Sequence, residues 1–344
     1  MAVTIATAEP KIGIMGAGAI GLYVGGVLAH GGAPVAFAAR GRTLEALGRG
    51  LAITRHDGFK AELKPENYVA GGVELLADCD IVLFCTKSGD TGEAAAALAP
   101  VLERGKTIIS LQNGVGNVDL LKQALPGHEI VAGTVPFNVV RLSPNAVHCA
   151  MDGTVLVGVS KASEALASAA RRAGLKLAVR ADLEAVQWGK LLLNLNNGLN
   201  VLSGLPLKRQ FADRGYRQVL VMAMEELLAA LDAAGIEPVG ATRTNPRLIP
   251  KLLRLPTWLF TLLARQQLRM DDTARSSSWD DLMAGREPET RFLNGAVVAL
   301  AQANGREAPV NALICHLVDQ AFSEGQSPRL PGDDLLRSAR KAQS

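Results

Sequence analysis

The chain has 344 residues, with 36 lysines and arginines against 33 aspartates and glutamates, and a formal net charge of +3. This small excess and an aromatic content of 4% argue against an extended nucleic-acid surface, which needs many phosphate contacts and stacking side chains. The length predicts two domains. The first residues lack a charged and apolar leader, and prolines and charges interrupt the most apolar stretch, Leu248 to Leu263. We expect a cytoplasmic protein with no nucleic-acid or membrane partner.

A glycine-rich turn lies near the N-terminus, between a predicted strand ending at Met15 and a predicted helix through Leu28. Its G-x-G-x-x-G pattern turns the chain at the first glycine, admits a pyrophosphate at the second and lets helix pack on strand at the third. The free N–H groups that open the helix suit an anion. The pattern predicts a dinucleotide site, and a purely structural turn is the alternative. Its residues are Gly16, Ala17, Gly18, Ala19, Ile20 and Gly21.

The residue after the second predicted strand indicates which dinucleotide binds. That strand is Pro34–Ala39, and Arg40 follows it directly. An NAD site usually has an acidic residue here for the ribose 2′-hydroxyl, whereas an arginine suits the 2′-phosphate of NADP. No carboxylate lies between Gly16 and Thr43 in the sequence. Arg40 therefore predicts NADPH, and a solvated arginine at a strand end is the alternative.

Strand and helix patterns alternate through the first half of the chain. Strands are predicted at 51–54, 80–85, 107–111 and 130–135, and a helix is predicted at 92–102. Continuous apolar runs separated by helices predict an α/β domain with a Rossmann-type, doubly wound parallel sheet. Shorter strands at 139–141 and 154–159 are expected to form an antiparallel edge or extension.

Two polar residues directly follow predicted strands of this sheet. Lys87 follows strand 80–85, and Asn113 follows strand 107–111. Ligands of doubly wound sheets gather at the carboxyl ends of the strands. Asn113 is therefore predicted near the nicotinamide half of the cofactor, and Lys87 is a candidate cofactor contact. An ordinary Asn-Gly turn and a solvated lysine are the alternatives.

The second half of the chain has helical patterns only, which predict an all-α C-terminal domain. The change near Ala181 places a Rossmann-type domain at 11–180 and a helical domain at 181–328. A flexible N-terminus at 1–10 and a loosely ordered tail at 329–344 complete the prediction. Predicted helices cover 183–202, 216–234, 246–263, 289–303 and 311–322.

Lys190 stands in an otherwise apolar predicted helix, with Asn194 four residues later on the same face. Burying an ammonium group costs several kcal/mol unless it is paired, so Lys190 is a candidate general acid. The alternative is a lysine whose ammonium group reaches solvent. Ser277 and Glu289 stand at predicted helix starts, where a capping serine or a carboxylate is common on structural grounds alone.

The order and spacing of these stretches resemble the ketopantoate reductase (2-dehydropantoate 2-reductase) family over nearly the whole chain. That family pairs a Rossmann domain with a helical domain and places substrate in the cleft between them. The matching features are Gly16–Gly21, Arg40, Lys87, Gln112-Asn113-Gly114, Trp188-x-Lys190 with Asn194, Ser277 ahead of Asp281, and Glu289 six residues before Gly295.

The resemblance implies an NADPH-dependent reduction of ketopantoate, a 2-oxo acid, to pantoate on the pathway to pantothenate and coenzyme A. It implies that Lys190 is the general acid. It implies that Glu289 hydrogen-bonds a substrate hydroxyl and that Ser277 hydrogen-bonds the substrate carboxylate. Asn113 and Asn194 would orient substrate and nicotinamide.

Three departures from the family pattern concern the substrate. Gly198 stands where the family usually has a second asparagine, and Asn197 is predicted to replace it if the helix stays regular. Ser278 replaces a methionine, and residues 246–270 extend beyond the compact family members. Another 2-oxo or 3-hydroxy acid is therefore an alternative substrate, and an NADPH-sensing regulator without activity is the alternative class. The apolar stretch 248–263 leaves a homodimer through the helical domain open.

Overall fold

The computed structural model of the chain describes residues 9–240, 245–265 and 271–344. The described residues divide into two compact units: unit 1 has those within 9–113 and Asn117–Leu183, and unit 2 has Gly114–Gly116 and those within Glu184–Ser344. Most of the predicted flexible N-terminus lies outside the described residues. In these ranges no helix combines the length and the apolar character that a membrane span requires.

Unit 1 contains two sheets and the helices that cover them. Its helices are α1 (Ala19–His30), α2 (Gly41–Leu47), α3 (Thr91–Leu98), α4 (Asn117–Ala124) and α5 (Lys161–Arg172). Its strands are β1 (Ile12–Met15), β2 (Val35–Ala38), β3 (Leu51–Arg55), β4 (Lys60–Leu63), β5 (Val69–Gly71), β6 (Ile81–Phe84), β7 (Thr107–Ser110), β8 (Glu129–Thr134), β9 (Val139–Ser143), β10 (Ala146–Cys149), β11 (Val155–Gly158) and β12 (Leu177–Arg180).

The main sheet has eight strands in the spatial order β12-β11-β8-β7-β6-β1-β2-β5. Neighbouring strands are parallel except β8 and β11, which are antiparallel. The six strands from β5 to β8 have the 3-2-1-4-5-6 order of a Rossmann fold, so the predicted fold class is confirmed. The carboxyl ends of β1, β2, β6 and β7 lie at one edge of the sheet, and the candidate cofactor residues follow those strands.

Each face of the main sheet packs against a different hydrophobic core. Both faces therefore carry apolar side chains. In β1, Ile12 and Ile14 pack into the core that contains α1, whereas Met15 packs into the core that contains α3 and α4. Burial on both faces explains why the strand sequences are continuous apolar runs rather than alternating patterns.

A second sheet, with the order β4-β3-β10-β9, covers α1 from the other side. A Cβ added at Gly25 would lie 2.7 Å from Ile14 Cγ1 of β1, and one added at Gly26 would overlap Ile53 Cδ1 of β3. The predicted placement of residues 51–54 in the parallel sheet and of residues 139–141 at its edge is therefore wrong. The short strand β5 takes the third Rossmann position, because an apolar run alone does not determine which strand it pairs with.

Within the described residues, unit 2 consists of helices and turns, as predicted. The long helix α9 lies at its centre and packs against α10, α13, α14 and α15. The helices are α6 (Leu183–Asn194), α7 (Asn196–Ser203), α8 (Leu207–Ala212), α9 (Arg214–Ala234), α10 (Ile249–Leu253), α11 (Thr257–Leu263), α12 (Ser277–Met283), α13 (Asn294–Ala303), α14 (Pro309–Glu324) and α15 (Gly332–Gln343).

The segment predicted as one helix at 246–263 is broken into a short 3₁₀ turn, α10 and α11. Pro250 and Pro256 lack an N–H group, and Pro256 occupies the position directly before α11. Phe260 is buried, whereas Trp258 of the same helix is 70% exposed. The homodimer through this segment stays a prediction, and residues 266–270 of the predicted extension lie outside the described residues.

The C-terminal residues form an ordered helix, so the prediction of a loosely ordered tail at 329–344 is wrong. Leu335 and Ala339 of α15 are buried against the core of unit 2. They are four residues apart and therefore share one helix face. The acidic and basic residues that suggested disorder occupy the other faces of the same helix, which is the ordinary pattern of an amphipathic surface helix.

Candidate active site

The glycine-rich turn joins the carboxyl end of β1 to α1. Gly16 has a φ of +100°, and a Cβ added there would lie 2.7 Å from Thr86 N, just beyond β6. A Cβ added at Gly21 would overlap the carbonyl oxygen of Gly16. No side chain caps α1 at Gly18, and no atom of the described residues lies within 4 Å of a Cβ added there. The uncapped N–H groups and the open space beside Gly18 suit a dinucleotide pyrophosphate.

Arg40 stands between β2 and α2, and its side chain is 82% exposed. Its guanidinium forms an ion pair with Glu93 in the first turn of α3, with 3.3 Å between Nη1 and Oε1. Exposed pairs of this kind contribute little to stability. The sequence analysis did not identify Glu93, because it lies 53 residues from Arg40 along the chain.

A buried polar network fixes the backbone of Asn113. Its carbonyl oxygen accepts hydrogen bonds from Ser88 Oγ and from Asn117 Nδ2, both at 2.9 Å. Thr91 Oγ1 donates to the Ser88 carbonyl at 2.9 Å and accepts from Gln112 Nε2 at 2.7 Å. The network joins the loop after β6 to the loop after β7. In the sequence, the signal for such a network is a group of polar residues that directly follows an apolar strand.

Lys87 and the Asn-Gly turn lie at the ends of these two strands. Lys87 is half-buried and directly precedes the 3₁₀ turn Ser88–Asp90. Gly114 has a φ of +79°, so the turn after Asn113 requires glycine. In unit 2, Val115 N donates to the Phe292 carbonyl at 3.1 Å, and a Cβ added at Gly114 would overlap that oxygen.

Lys190 lies in α6, four residues before the last residue of that helix. Burial of its ammonium group lowers the pKa of Lys190 from 10.5 to about 8, and the negative charge of Glu289 acts in the opposite direction. The side chain as a whole is half-buried. A lysine whose ammonium group is fully solvated would keep its ordinary pKa, so this finding argues against the alternative of a solvated lysine. A pKa of about 8 suits proton donation near neutral pH.

The structure does not place Glu289 at the start of an α-helix, and it does not make Ser277 a helix cap. Glu289 precedes only the three-residue 3₁₀ turn Thr290–Phe292, so the expected helix opening at Glu289 is wrong. The next α-helix, α13, begins only at Asn294, five residues after Glu289. The cap of α12 is Ser276, whose Oγ accepts from Trp279 N at 3.2 Å. Ser277 is instead the exposed first residue of α12.

The single helix predicted through residue 202 is divided at Leu195: α6 ends at Asn194 and α7 begins at Asn196. Asparagines at positions 194, 196 and 197 favour caps and turns over helix interiors, which accounts for the break. Leu195 itself keeps helical dihedral angles and donates to the Leu191 carbonyl at 3.0 Å, so the placement of Asn197 on the face of Lys190 stays a prediction. Asn197 Nδ2 donates to Ser277 Oγ at 3.5 Å, and Asn194 ends α6 in a half-buried position.

A second buried network holds the start of α12 against α7. Asn200 Oδ1 accepts from Ser276 N at 2.9 Å, and Asn200 Nδ2 donates to Gln210 Oε1 at 2.7 Å. Gln210 Nε2 in turn donates to Asn196 Oδ1 at 2.7 Å. The network sets the position of Ser277 relative to α7. The sequence analysis missed Asn200, because nothing in a single sequence distinguishes a buried asparagine from one in a turn.

Comparisons with known proteins cover both units. A family model described as ketopantoate reductase PanE/ApbA matches residues 12–162, and its C-terminal counterpart matches residues 182–321. The chain belongs to this family. A 2-dehydropantoate 2-reductase of Archaeoglobus fulgidus is 30% identical over 90% of the chain and 96% of the relative. One of Halobacterium salinarum is 28% identical over 92% of the chain and 100% of the relative.

Solved structures agree with the fold of this ketopantoate reductase family member. A PanE/ApbA family ketopantoate reductase from Ralstonia eutropha superposes with a TM-score of 0.79 at 29% identity, covering 92% of this chain and 99% of that one. A D-mandelate dehydrogenase with NADH and anilino(oxo)acetate has a TM-score of 0.75 at 17% identity, covers 92% of this chain and 99% of that one, and shows the shared fold alone. Membership of the family makes the chain an oxidoreductase that uses a nicotinamide cofactor.

Gly198, at the usual second-asparagine position of the ketopantoate reductase family, is a packing position in this chain. A Cβ added there would lie 2.8 Å from Ile314 Cγ2 and 3.2 Å from Asn294 Oδ1. A larger residue at 198 would therefore require the side chains of Ile314 and Asn294 to move. Among the described residues, no group of three or more His, Cys, Asp and Glu side chains is placed to hold a metal ion.

Proposed function

We propose that the chain is an NADPH-dependent 2-dehydropantoate 2-reductase, which reduces ketopantoate to pantoate. The observation that carries the proposal is the burial of the Lys190 ammonium group in α6, where the negative charge of Glu289 acts on it; this burial lowers the pKa of Lys190 to about 8. A general acid for carbonyl reduction needs this combination of burial and a pKa near the working pH. The names of the relatives from Archaeoglobus fulgidus and Halobacterium salinarum support the substrate.

The dinucleotide would be held by unit 1. The residues from Gly16 to Gly21 would receive the pyrophosphate on the N-terminal N–H groups of α1. Arg40 would bind the 2′-phosphate, and Lys87 and Asn113 would bind further along the cofactor at the ends of β6 and β7. When bound, the nicotinamide supplies the hydride that reduces the carbonyl carbon.

The acid chemistry would come from unit 2. Lys190 Nζ would donate a proton to the carbonyl oxygen of the 2-oxo acid, and its positive charge would stabilise the negative charge that develops there. Glu289 would accept a hydrogen bond from the substrate hydroxyl. Ser277, with Asn197 beside it, would donate to the substrate carboxylate, and Asn194 would orient the substrate.

A reductase of another 2-oxo or 3-hydroxy acid is the second candidate, and the packing of Gly198 in the core favours it. The asparagine that family members use at this position has no counterpart at residue 198, and Asn197 contacts Ser277 instead. A substrate with different polar groups would suit this altered arrangement. A regulator that binds NADPH without turnover is the third candidate, and a desolvated lysine beside a glutamate has no evident use in it.

The assay that tests the function follows the loss of NADPH absorbance after ketopantoate is added, with NADH in a parallel series. Rapid oxidation of NADPH is expected. Turnover with a different acid from a panel of small 2-oxo and 3-hydroxy acids, and none with ketopantoate, would select the second candidate. Tight NADPH binding without turnover on any acid would select the regulator.

Replacing Arg40 with alanine is expected to weaken NADPH binding by about 10- to 100-fold, the range for losing a charged hydrogen-bond partner of a phosphate. NADH lacks the 2′-phosphate, so its affinity is expected to change little. Titration of each cofactor by fluorescence measures both constants, and Arg49→Ala, at an exposed arginine before β3, is the matched control. Equal weakening of both cofactors would contradict a 2′-phosphate role.

The pH dependence of the reduction is expected to follow the protonation of Lys190. Since the acid form is required and the pKa is about 8, kcat/KM is expected to be flat below pH 8 and to fall above it. Glu289→Gln removes a charge that raises the pKa of Lys190, so the fall is expected to begin at lower pH. Glu287→Gln, at an exposed position two residues earlier, is the control. An unchanged profile in Glu289→Gln would contradict the coupling of the two groups.

A further inference from the structure

The carboxylate of Glu93 contacts Arg40, the arginine expected to recognise the 2′-phosphate, although no carboxylate lies between Gly16 and Thr43 in the sequence. Glu93 Oε1 is 3.3 Å from Nη1 and 3.4 Å from Nη2 of Arg40, so one oxygen contacts both terminal nitrogens. Their side chains are 74% and 82% exposed. The pair therefore lies on the surface of unit 1, where a cofactor can reach it.

The topology puts this pair at the dinucleotide-binding edge of the sheet. Arg40 follows β2, and Glu93 stands in α3, which follows β6. β2 and β6 are the two neighbours of β1, whose carboxyl end carries the glycine-rich turn. Arg40, in the connection after β2, therefore contacts Glu93, in the connection after β6, beside the glycine-rich turn. In Rossmann folds the adenosine ribose binds beyond the end of the second strand, next to the same turn.

We propose that Glu93 is a cofactor-specificity residue that limits the preference of this protein for NADPH over NADH. The proposal rests on the proposed function, in which Arg40 binds the 2′-phosphate. The phosphate monoester carries a charge between about −1.5 and −2 at pH 7, so a carboxylate at the same guanidinium repels it. The 2′-hydroxyl of NADH is neutral and can donate a hydrogen bond to that carboxylate.

The charge of Glu93 is therefore expected to weaken the binding of NADPH and not that of NADH. Arg40 attracts the 2′-phosphate, and Glu93 neutralises part of that attraction because its oxygen already contacts both guanidinium nitrogens. Both side chains are exposed, so Glu93 can turn away when the phosphate binds, yet it stays within a few ångström of the site. An interaction between charges at this separation in a highly solvated setting changes an affinity on the order of tenfold.

The test compares the dissociation constants of NADPH and NADH, measured by fluorescence titration, in the wild-type protein and in Glu93→Gln. Glutamine keeps the shape of the side chain and removes its charge. NADPH is expected to bind on the order of tenfold more tightly to the variant, and NADH equally or more weakly. Raising the salt concentration should reduce the gain for NADPH, because the repulsion is between exposed charges.

Glu103→Gln is the matched control. Glu103 is 77% exposed, lies 3.9 Å from Lys106 Nζ and precedes the amino end of β7, at the edge of the sheet opposite to the glycine-rich turn. This variant makes the same charge change and is expected to leave both constants unchanged. An equal change for both cofactors in Glu93→Gln, or no change for either, would overturn the proposal.

The Arg40 variant separates a failure of this proposal from a failure of the proposed function. If Arg40→Ala weakens NADPH selectively while Glu93→Gln leaves the ratio of the two constants unchanged, the specificity role of Glu93 is wrong and the cofactor site stands. If neither variant changes the ratio, the 2′-phosphate does not bind at Arg40, and both proposals fall together.

Discussion

Replacing Lys190 with alanine is expected to lower kcat for 2-oxo acid reduction by about 100-fold or more, the usual scale for losing a general acid. The ammonium group is desolvated, which lowers its pKa to about 8 even though the negative charge of Glu289 acts in the opposite direction. In the proposed mechanism, removing the ammonium group would leave the carbonyl oxygen without its proton donor and without the positive charge that stabilises the transition state. Steady-state kinetics with ketopantoate, or with the acid that the panel selects, measures the loss.

Two controls make this result specific to the acid role. NADPH affinity is expected to be retained in Lys190→Ala, because the dinucleotide residues lie in unit 1. Lys208→Ala, at an exposed lysine that pairs with Asp272 at 2.7 Å, removes a positive charge elsewhere in unit 2 and is expected to leave kcat unchanged. A Lys190→Ala protein with full activity would show that another group, or solvent, protonates the product.

The Rossmann fold was predictable because short, continuous segments of the sequence indicate its strands and its first turn. Strands buried on both faces appear as continuous apolar runs, and the G-x-G-x-x-G pattern marks the turn after the first of them. The strand β5 was not predictable in the same way. Its three residues, Val69–Gly71, carry too little pattern, while the longer apolar run in β3 belongs to the second sheet.

The candidate site was predictable in its residue types and less so in its contacts. A lysine in an apolar helix is visible in the sequence, and its lowered pKa follows from burial. The pairing of Glu93 with Arg40 depends on two separate strand connections meeting beside β1, and no spacing rule predicts it. The break at Leu195 depends on competition between helix packing and the asparagines around it. A hydrophobic pattern cannot resolve that competition.

Replacing Gly21 with alanine is expected to abolish most of the NADPH affinity, with a loss of about 100-fold, and to destabilise unit 1. The added Cβ would overlap the carbonyl oxygen of Gly16 and would lie 2.9 Å from Ile14 Cγ2. The atom that the Cβ would overlap belongs to the backbone, which cannot rotate away as a flexible side chain can. The glycine-rich turn itself would therefore have to move. Moving it misplaces the N–H groups offered to the pyrophosphate, and each charged hydrogen bond that is lost costs about 1.5–3 kcal/mol.

Gly18→Ala separates the steric effect from the binding effect, because it changes the same turn without a clash. In the part of the chain that the structure describes, no atom lies within 4 Å of a Cβ added at Gly18, and the φ of −82° at this residue is ordinary for alanine. Thermal unfolding of Gly18→Ala is therefore expected to match the wild type, while that of Gly21→Ala is expected to occur at lower temperature. If the pyrophosphate approaches the turn closely, Gly18→Ala weakens NADPH with its stability intact. A Gly21→Ala protein that binds NADPH normally would exclude the turn from the cofactor site.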